Sequence, residues 1–528
     1  MAGSKDNGTR KGEGAPKGKA GESDPKPVKP KPAAPISAEA RDTQRNPQKN
    51  PRKDAKKGEG GPPHLKGRIS KPMHRALARA SVSVRFDRKL AVHDVNGSLM
   101  HAAMLREASV LTKKEHRTIR KGLLSIRSRI LKGGFRFDPA LEDVHMNIER
   151  ALIDMVGPVG AKLHTGRSRN EQVVVSELLY CRHEAKAIGK MLERLIRALL
   201  REARHSGEHF MPARAHMQPV QPSTIGHHLL AHSARFMRDL RRLKFFHLDY
   251  TVLPYGSGAL SGTGFRLCPV PCELHLFNNH LCRLRPNSME TVASRDAPLV
   301  FMSILAILAT GLSGLGEELV LWSSREYAYL SLSDDLTTTS SMMPQKKNPD
   351  GAELLRGKCG RTIGNLLSLL VTLKGLPLTY DRDLQEDKEP LFDSVETLRL
   401  ALPLAAAMLG GITWDFGRLH GASDLPYSGA SDIAWHLAGK GVGDEEAQAQ
   451  ARALAAWALS EGKALRDAGP EALARLCPKA DPDFLGTLRP EAQFARREGL
   501  EYQDYGPELL DRVGKLESEL KLHTLWLR

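Results

Sequence analysis

The sequence predicts an all-α protein built round a bundle of long helices. Apolar residues make up 41% of the 528-residue chain and aromatics only 5%, a balance that suits Leu- and Ala-rich helices better than a β-sandwich. Leu178, Leu179, Ala185, Ile188, Leu192, Leu195, Ile196 and Leu199 recur at helical spacing over a stretch too long for a strand. No run of alternating strands and no internal repeat interrupts this pattern.

The elements follow in order. Residues 1–70 contain no Phe, Tyr or Trp and are dense in Lys, Pro and Gly, so they cannot bury enough apolar surface to offset ordering. They are expected to be a disordered basic tail. Of the net charge of +17, residues 1–70 carry +9 and the rest +8. Weak contact with nucleic acid is one reading of that charge; a solvated appendage without nucleic-acid contact is the one adopted.

An N-terminal helical domain is expected over 71–166, with helices near 92–108 and from 113–115 onward. Gly166 to Asn170 breaks the pattern, and Ser168 or Asn170 suits the N-cap of the long helix that follows. The central bundle, 167–420, holds further long helical stretches at 227–246, 288–324 and 350–373. Residues 421–528 are richer in Ala and predict a small C-terminal helical domain.

Several classes drop out. The uncharged run 299–316 reaches the lower limit for a membrane span. It stands alone, has no flanking basic cluster and contains Ser303, Thr310 and Ser313, so a buried bundle helix is expected and no membrane contact. The six cysteines are few for the length, and no secretory segment follows Met1; reduced thiols in the cytoplasm are expected. Cys268, Cys272, His275, His280 and Cys282 lack paired knuckles at regular spacing, and Pro269 and Pro271 interrupt them, so no zinc site is read there.

The densest chemistry lies at Thr337–Asp350, TTTSSMMPQKKNPD. Asn348 as N-cap and Pro349 as first helical residue would start a helix. That would hold a hydroxyl- and Lys-rich loop against a helix N-terminus, which favours a carboxylate. An ordinary polar loop is the alternative, and the spacing alone names no reaction.

Ser340-Ser341-x-Met343-Pro344-x-Lys346-x-Asn348 resembles the signature loop of the fumarase/aspartase superfamily, and MPQKKNPD is especially similar to the argininosuccinate lyase family. Further matches are Lys162–Gln172 (KLHTGRSRNEQ), His216–Pro222 (HMQPVQP), Glu142–Glu149 (EDVHMNIE), Gly256–Ala259, and Lys374–Pro377 through Gln385–Glu389. The resemblance covers the chain from about Gly67 onward. It implies a three-domain fold with a central bundle, and a homotetramer in which three subunits share each active site. It implies no metal or organic cofactor, and a small N-substituted aspartate as substrate.

The resemblance also implies roles. Ser340 would remove a proton beside a carboxylate, after which a C–N bond breaks to release fumarate. A carbon acid this weak needs fixed positive charge and N–H donors around the developing carbanion, which suits Lys346 and Asn348. A Ser hydroxyl is a poor base unless its oxyanion is stabilised, so Ser340 and Lys346 should act as one unit. His216 matches the family's catalytic His as proton donor to the departing nitrogen, and Glu353 the carboxylate that orients it. Ser83, Ser168, Arg169, Asn170, Tyr380, Gln385 and Lys388 match substrate contacts, with His145 as a further site-lining residue. Bland roles stand beside these: Ser83 as a cap, Tyr380 as packing, Lys388 paired with Asp387 or Glu389.

Departures cluster on the recognition side. Thr339 stands where the family has Gly, Ala215 where it has a carboxylate-binding Thr, Pro219 where Arg is common, and Tyr255 where Leu is common. Either Arg214 takes over the carboxylate or the substrate differs. Because Tyr380, Gln385 and Lys388 keep the pattern of the resembled family, cleavage of argininosuccinate to arginine and fumarate is the leading expectation. Another N-substituted aspartate, or a catalytically silent structural homologue, are the alternatives.

Overall fold

The computed structural model describes residues 73–251, 253–265, 267, 287–500 and 502–527. The 1–70 tail and the Cys268, Cys272, Cys282, His275 and His280 cluster lie outside the described residues. Helices dominate what is described, and strands are confined there to three two-stranded ribbons.

Capping side chains set the helix starts. After α1 (Ala91–Glu107), Thr112 opens α2 (Lys113–Leu131) through a capping box with Glu115, and the Asp143 side chain accepts from Met146 N–H to start α3 (Val144–Val156). The chain then turns at Gly166 with φ +63, where a Cβ would stand 2.9 Å from Phe265. Ser168, of the two residues the sequence offered, is the N-cap of α4 (Arg169–Ser206), in a capping box with Glu171. At 38 residues, α4 runs about 57 Å.

Four more long helices complete the bundle: α5 (Ile225–Asp249), α6 (Asp296–Ser323), α7 (Asp350–Leu373) and α8 (Lys388–Gly410). The stretch 288–324 is not one helix. Ser288–Ala293 ends at Ser294, whose extended backbone (ψ 128) breaks the ladder and whose hydroxyl accepts from Asp296 N–H as α6 begins. Helix α8 was not anticipated; it carries Pro403 in its interior, a residue that reads as a breaker in sequence.

Consecutive helices along the chain alternate in direction, which gives the bundle two distinct ends. Arg356 of α7 pairs with Glu317 near the end of α6, and Lys388 at the start of α8 lies beside Glu177 in the first third of α4. One end gathers the close of α4, the start of α5, the close of α6 and the start of α7. The other gathers the starts of α4, α6 and α8.

Helix α6 is long and apolar enough to cross a membrane, yet 61% of its most apolar window is buried inside the protein. It packs chiefly on α7, then on α5 and α8. Helix α7 leaves Ile363, Leu367, Leu370 and Val371 exposed in its second half, and Leu354 exposed near its start.

A hairpin the sequence did not announce, β1 (Phe210–Ala215) with β2 (Gln218–Thr224), stands at the close of α4. Ribbon β3 (Leu330–Leu332) pairs with Ile412–Trp414 beyond α8, and β4 (Thr338–Thr339) pairs with β5 (Lys347–Asn348) just before α7. Past Phe416, residues 433–488 form a hydrophobic core of their own, while Tyr505–Thr524 returns to pack on α4 and α5.

Candidate active site

Ser340 to Lys346 form the loop that joins β4 to β5. Ser340 is half-buried, and its hydroxyl accepts from Met342 N–H at 3.3 Å. Met343 N–H donates to Ser340 O, and Lys346 N–H to Met343 O. Thr339, in place of a family Gly, lies in extended backbone within β4 and needs no positive φ; its hydroxyl donates to Pro344 O at 3.3 Å and braces the loop.

The expected N-cap is displaced by one residue. Pro349 is the N-cap of α7 and has no polar side-chain atom with which to cap it, while Asn348 is spent on the ribbon: it pairs with Thr338 and its amide donates to Thr338 Oγ1 at 3.2 Å. Asp350 and Glu353 occupy the first turn of α7, so the field of the helix start is partly met by its own carboxylates. Lys347 pairs with Asp334 at 2.6 Å. Among the described residues no carboxylate pairs with Lys346, which leaves it as the loop's uncommitted cation.

His216 occupies the tip of the β1–β2 hairpin with φ 53, followed by Met217 with φ 62, the backbone of a tight two-residue turn. It is exposed. Arg214 holds this tip: its guanidinium donates to Met217 O at 3.0 Å and to the Tyr329 hydroxyl at 2.7 Å, and lies 4.8 Å from the Tyr327 ring centre. Arg214 is thus engaged within the chain, while Ala215 is exposed beside it. No hydrogen bond joins His216 to Ser340, Lys346 or Glu353 within the described residues of one chain.

The second group lies at the far end of the bundle. Asp94, buried in α1, gathers His145 Nδ1 at 2.8 Å, Gln172 Nε2 at 2.6 Å and Ser176 Oγ at 3.4 Å. Burial pushes this carboxyl up, but His145, Arg167 and Gln172 together hold it at about 2. His145 Nε2 is buried without a partner. Ser83 is buried and donates to Asp87 at 2.6 Å; Asp87 in turn accepts from Val144 N–H. Ser168 caps α4 on Asn170 N–H, and the Asn170 amide donates to Ala259 O at 3.3 Å. Arg169 reaches Gln172 at 2.6 Å and lies near Asp143 and Glu149.

Lys388 is buried and paired with Asp387 at 2.6 Å. Arg295 donates to the other Asp387 oxygen at 2.5 Å, and Glu177 stands 3.4 Å from Arg295 and 3.8 Å from Lys388. Burial and the neighbouring Asp387 push Glu177 up, whereas Lys388 and Arg295 hold Asp387 down against its own burial. Tyr380, half-buried, is in electrostatic reach of Arg295, and Gln385 lies half-buried in the Arg382–Asp387 turn.

One chain therefore divides the candidates. Ser340, Lys346, Asn348, Glu353 and His216 belong to one end; Ser83, His145, Ser168, Arg169, Asn170, Tyr380, Gln385 and Lys388 to the other. Sequence reasoning missed Asp94, Glu177, Arg295 and Tyr329. Asp94 carried a weak signal, since it shares a helical stripe with Ser98 and His101 and a carboxylate must be paired when buried.

A long-helix bundle with a Ser- and Lys-bearing loop at one end and a polar cluster at the other is the arrangement that the resemblance to the fumarase/aspartase superfamily implies. A family model described as Lyase matches residues 67–364. The argininosuccinate lyase of Desulfatibacillum aliphaticivorans is 37% identical over 87% of this chain and 98% of its own length. That of Syntrophus aciditrophicus is 40% identical over 79% and 88%. The chain belongs to the argininosuccinate lyase family. Among solved structures, EDDS lyase in complex with formate superposes with a TM-score of 0.72 at 24% identity, covering 85% of this chain and 90% of that one. Fumarate lyase from Mesorhizobium sp. BNC1 gives 0.64 at 17%, covering 84% and 100%. Both show the fold.

Proposed function

We propose that this protein cleaves argininosuccinate into arginine and fumarate. Identity of 37% to an argininosuccinate lyase across 98% of that relative's length carries the reading. Ser340 takes the proton from the succinyl carbon, Lys346 and Asn348 face the charge that develops, the C–N bond breaks, and His216 returns a proton to the leaving nitrogen. Product fumarate keeps both carboxylates of the succinyl unit.

The reading includes a homotetramer. The two groups of candidates sit a bundle length apart in one chain, so a complete site draws its second group from a neighbouring protomer. The apolar face of α7 supplies a surface for that assembly. A cytoplasmic location belongs to the same proposal; Cys181, Cys359 and Cys477 are free and buried.

Purified full chain mixed with argininosuccinate should release fumarate, followed by ultraviolet absorbance, with arginine in equal amount. Ser340→Ala should lower the rate by about 10²–10⁴. Absence of fumarate at high protein concentration would overturn the reading. Ala215 and the engagement of Arg214 favour a second substrate reading, another N-substituted aspartate, which the same assay detects as fumarate from a different amine adduct.

A further inference from the structure

Helices α5 and α6 carry a cluster that the elimination does not use. His228 and His232, four residues apart, project from one face of α5, and Glu318 of α6 meets them. Both Nε2 atoms stand 2.8 Å from the same oxygen, Glu318 Oε2. One donor atom from each of the three residues lies within 4.8 Å of the others.

The surroundings are closed on one side and open on the other. Trp322 packs its edge against His228 at 5.0 Å between ring centres, and His232 stacks on Phe236 at 6.3 Å. His232 is 9% exposed, whereas the His228 and Glu318 side chains are each 31% exposed. The neighbouring Glu317 is spent on Arg356. Among the described residues no Lys or Arg pairs with Glu318, so only the two imidazoles answer its charge. Burial pushes its carboxyl up, and the His228 and His232 bonds outweigh that and hold it at about 2.

A purely structural account makes both imidazoles neutral Nε2–H donors to one oxygen. Either way His232 Nδ1 is buried with no partner among the described residues, as an acceptor in that account and as an N–H donor beside a bound ion, so this atom does not separate the two. A cation answers the same convergence differently. With metal–ligand bonds of about 2.1 Å, each 2.8 Å His–Glu318 separation subtends about 85° at an ion, near the right angle between neighbouring ligands of an octahedral ion and short of the tetrahedral angle. Two imidazoles and one carboxylate suit a first-row divalent ion.

We propose that His228, His232 and Glu318 form an accessory two-His, one-carboxylate site for a divalent ion of the cobalt, nickel and zinc class, with water filling the remaining positions from the open side. The ion ties the start of α5 to the close of α6. The first follows directly on the hairpin that carries His216, and the second leads into the segment that carries Ser340. Neither of those residues is a ligand, so occupancy braces the elements that hold them and leaves the elimination to its own groups.

The test uses the full chain, stripped with chelator and titrated with cobalt chloride. One cobalt per chain should survive desalting, visible absorption should report nitrogen and oxygen ligation, and the thermal midpoint should rise with cobalt concentration. His232→Gln and Glu318→Gln should each weaken binding at least tenfold and leave metal-free fumarate release near wild type. His420→Gln, which removes an exposed His–Glu pair elsewhere, should bind as wild type does. Absence of saturable binding, binding undiminished in both Gln variants, or binding lost only when Cys268, Cys272 and Cys282 become Ser would overturn the site. Should one Gln variant fail to fold by circular dichroism, the other and the wild-type cobalt spectrum decide, since thiolate ligation would also refute it.

Discussion

Arg214 donates to the Tyr329 hydroxyl at 2.7 Å, and this bond ties the hairpin that presents His216 to the strand leading toward the Ser340 loop. The same guanidinium closes on Met217 O at 3.0 Å, so one side chain fixes both the bend of the hairpin and its bearing on the bundle. His216 itself stands at the tip, where its own backbone turns through positive φ, flanked by the pairing of Ala215 with Gln218.

Loss of that bond should blunt turnover without unfolding the protein. A hydrogen bond to a charged group is worth roughly 1.5–3 kcal/mol, so Tyr329→Phe should lower kcat by about tenfold or more, and Arg214→Ala further. Fumarate release well below wild type, from protein that still folds and melts only a few degrees lower, is the expected pair of results; wild-type kcat in both variants would deny the brace a role.

Two inactive proteins should repair each other. Ser340→Ala damages one end of the bundle and Asn170→Ala the other, and α4 alone separates those ends by about 57 Å. Refolded or co-expressed mixtures should regain activity that neither variant shows alone, because some assembled sites then draw both intact ends from different chains. Mixtures as inactive as their components would mean that each chain builds its own site.

Glu171 makes the melting temperature depend on pH. Burial drives its carboxyl up to about 7, against hydrogen bonds from Gly258 and Ser168 N–H. A group whose pKa is raised on folding stabilises the fold below its unfolded value near 4.5 and loses that contribution as pH climbs through 7. The swing is about 3 kcal/mol. Calorimetry from pH 4 to 8 should show the wild type falling relative to Glu171→Gln across that interval; parallel curves would contradict the assignment.

Lys388 offers a choice between two roles. Its ammonium is buried on Asp387 at 2.6 Å, and removing one partner of a buried pair typically costs about 3–5 kcal/mol. Lys388→Met should therefore lower the melting temperature markedly. A normal melting curve with a raised KM would instead make it the substrate contact that the family resemblance implies.

Much of this was legible in the sequence, for identifiable reasons. Helical periodicity located α4, α5 and α7 because each buries one continuous stripe, and Ser168 was one of the two residues read as the N-cap of α4. The loop around Ser340 was readable as a motif. Its backbone was not: Asn348 looks like a cap until a two-residue ribbon claims it, and ribbons that short leave no periodicity. Hairpin β1–β2 escaped because Pro212, Pro219 and Pro222 mask a strand signal. Lys388 as a buried ion and Arg214 as a brace depend on partners Glu177, Arg295 and Tyr329, far off in sequence, which spacing alone cannot pair.

The apolar helix α6 has a consequence for synthesis. Its main cover, α7, and part of the rest, α8, are made after it, while α4 and α5 precede it. A chain growing from the ribosome must therefore carry a membrane-grade segment, sheltered on one side only, until about residue 410 has emerged. Nascent-chain chaperones and slow-codon stretches beyond α6 would act on that interval, and heterologous expression should be most prone to aggregation there.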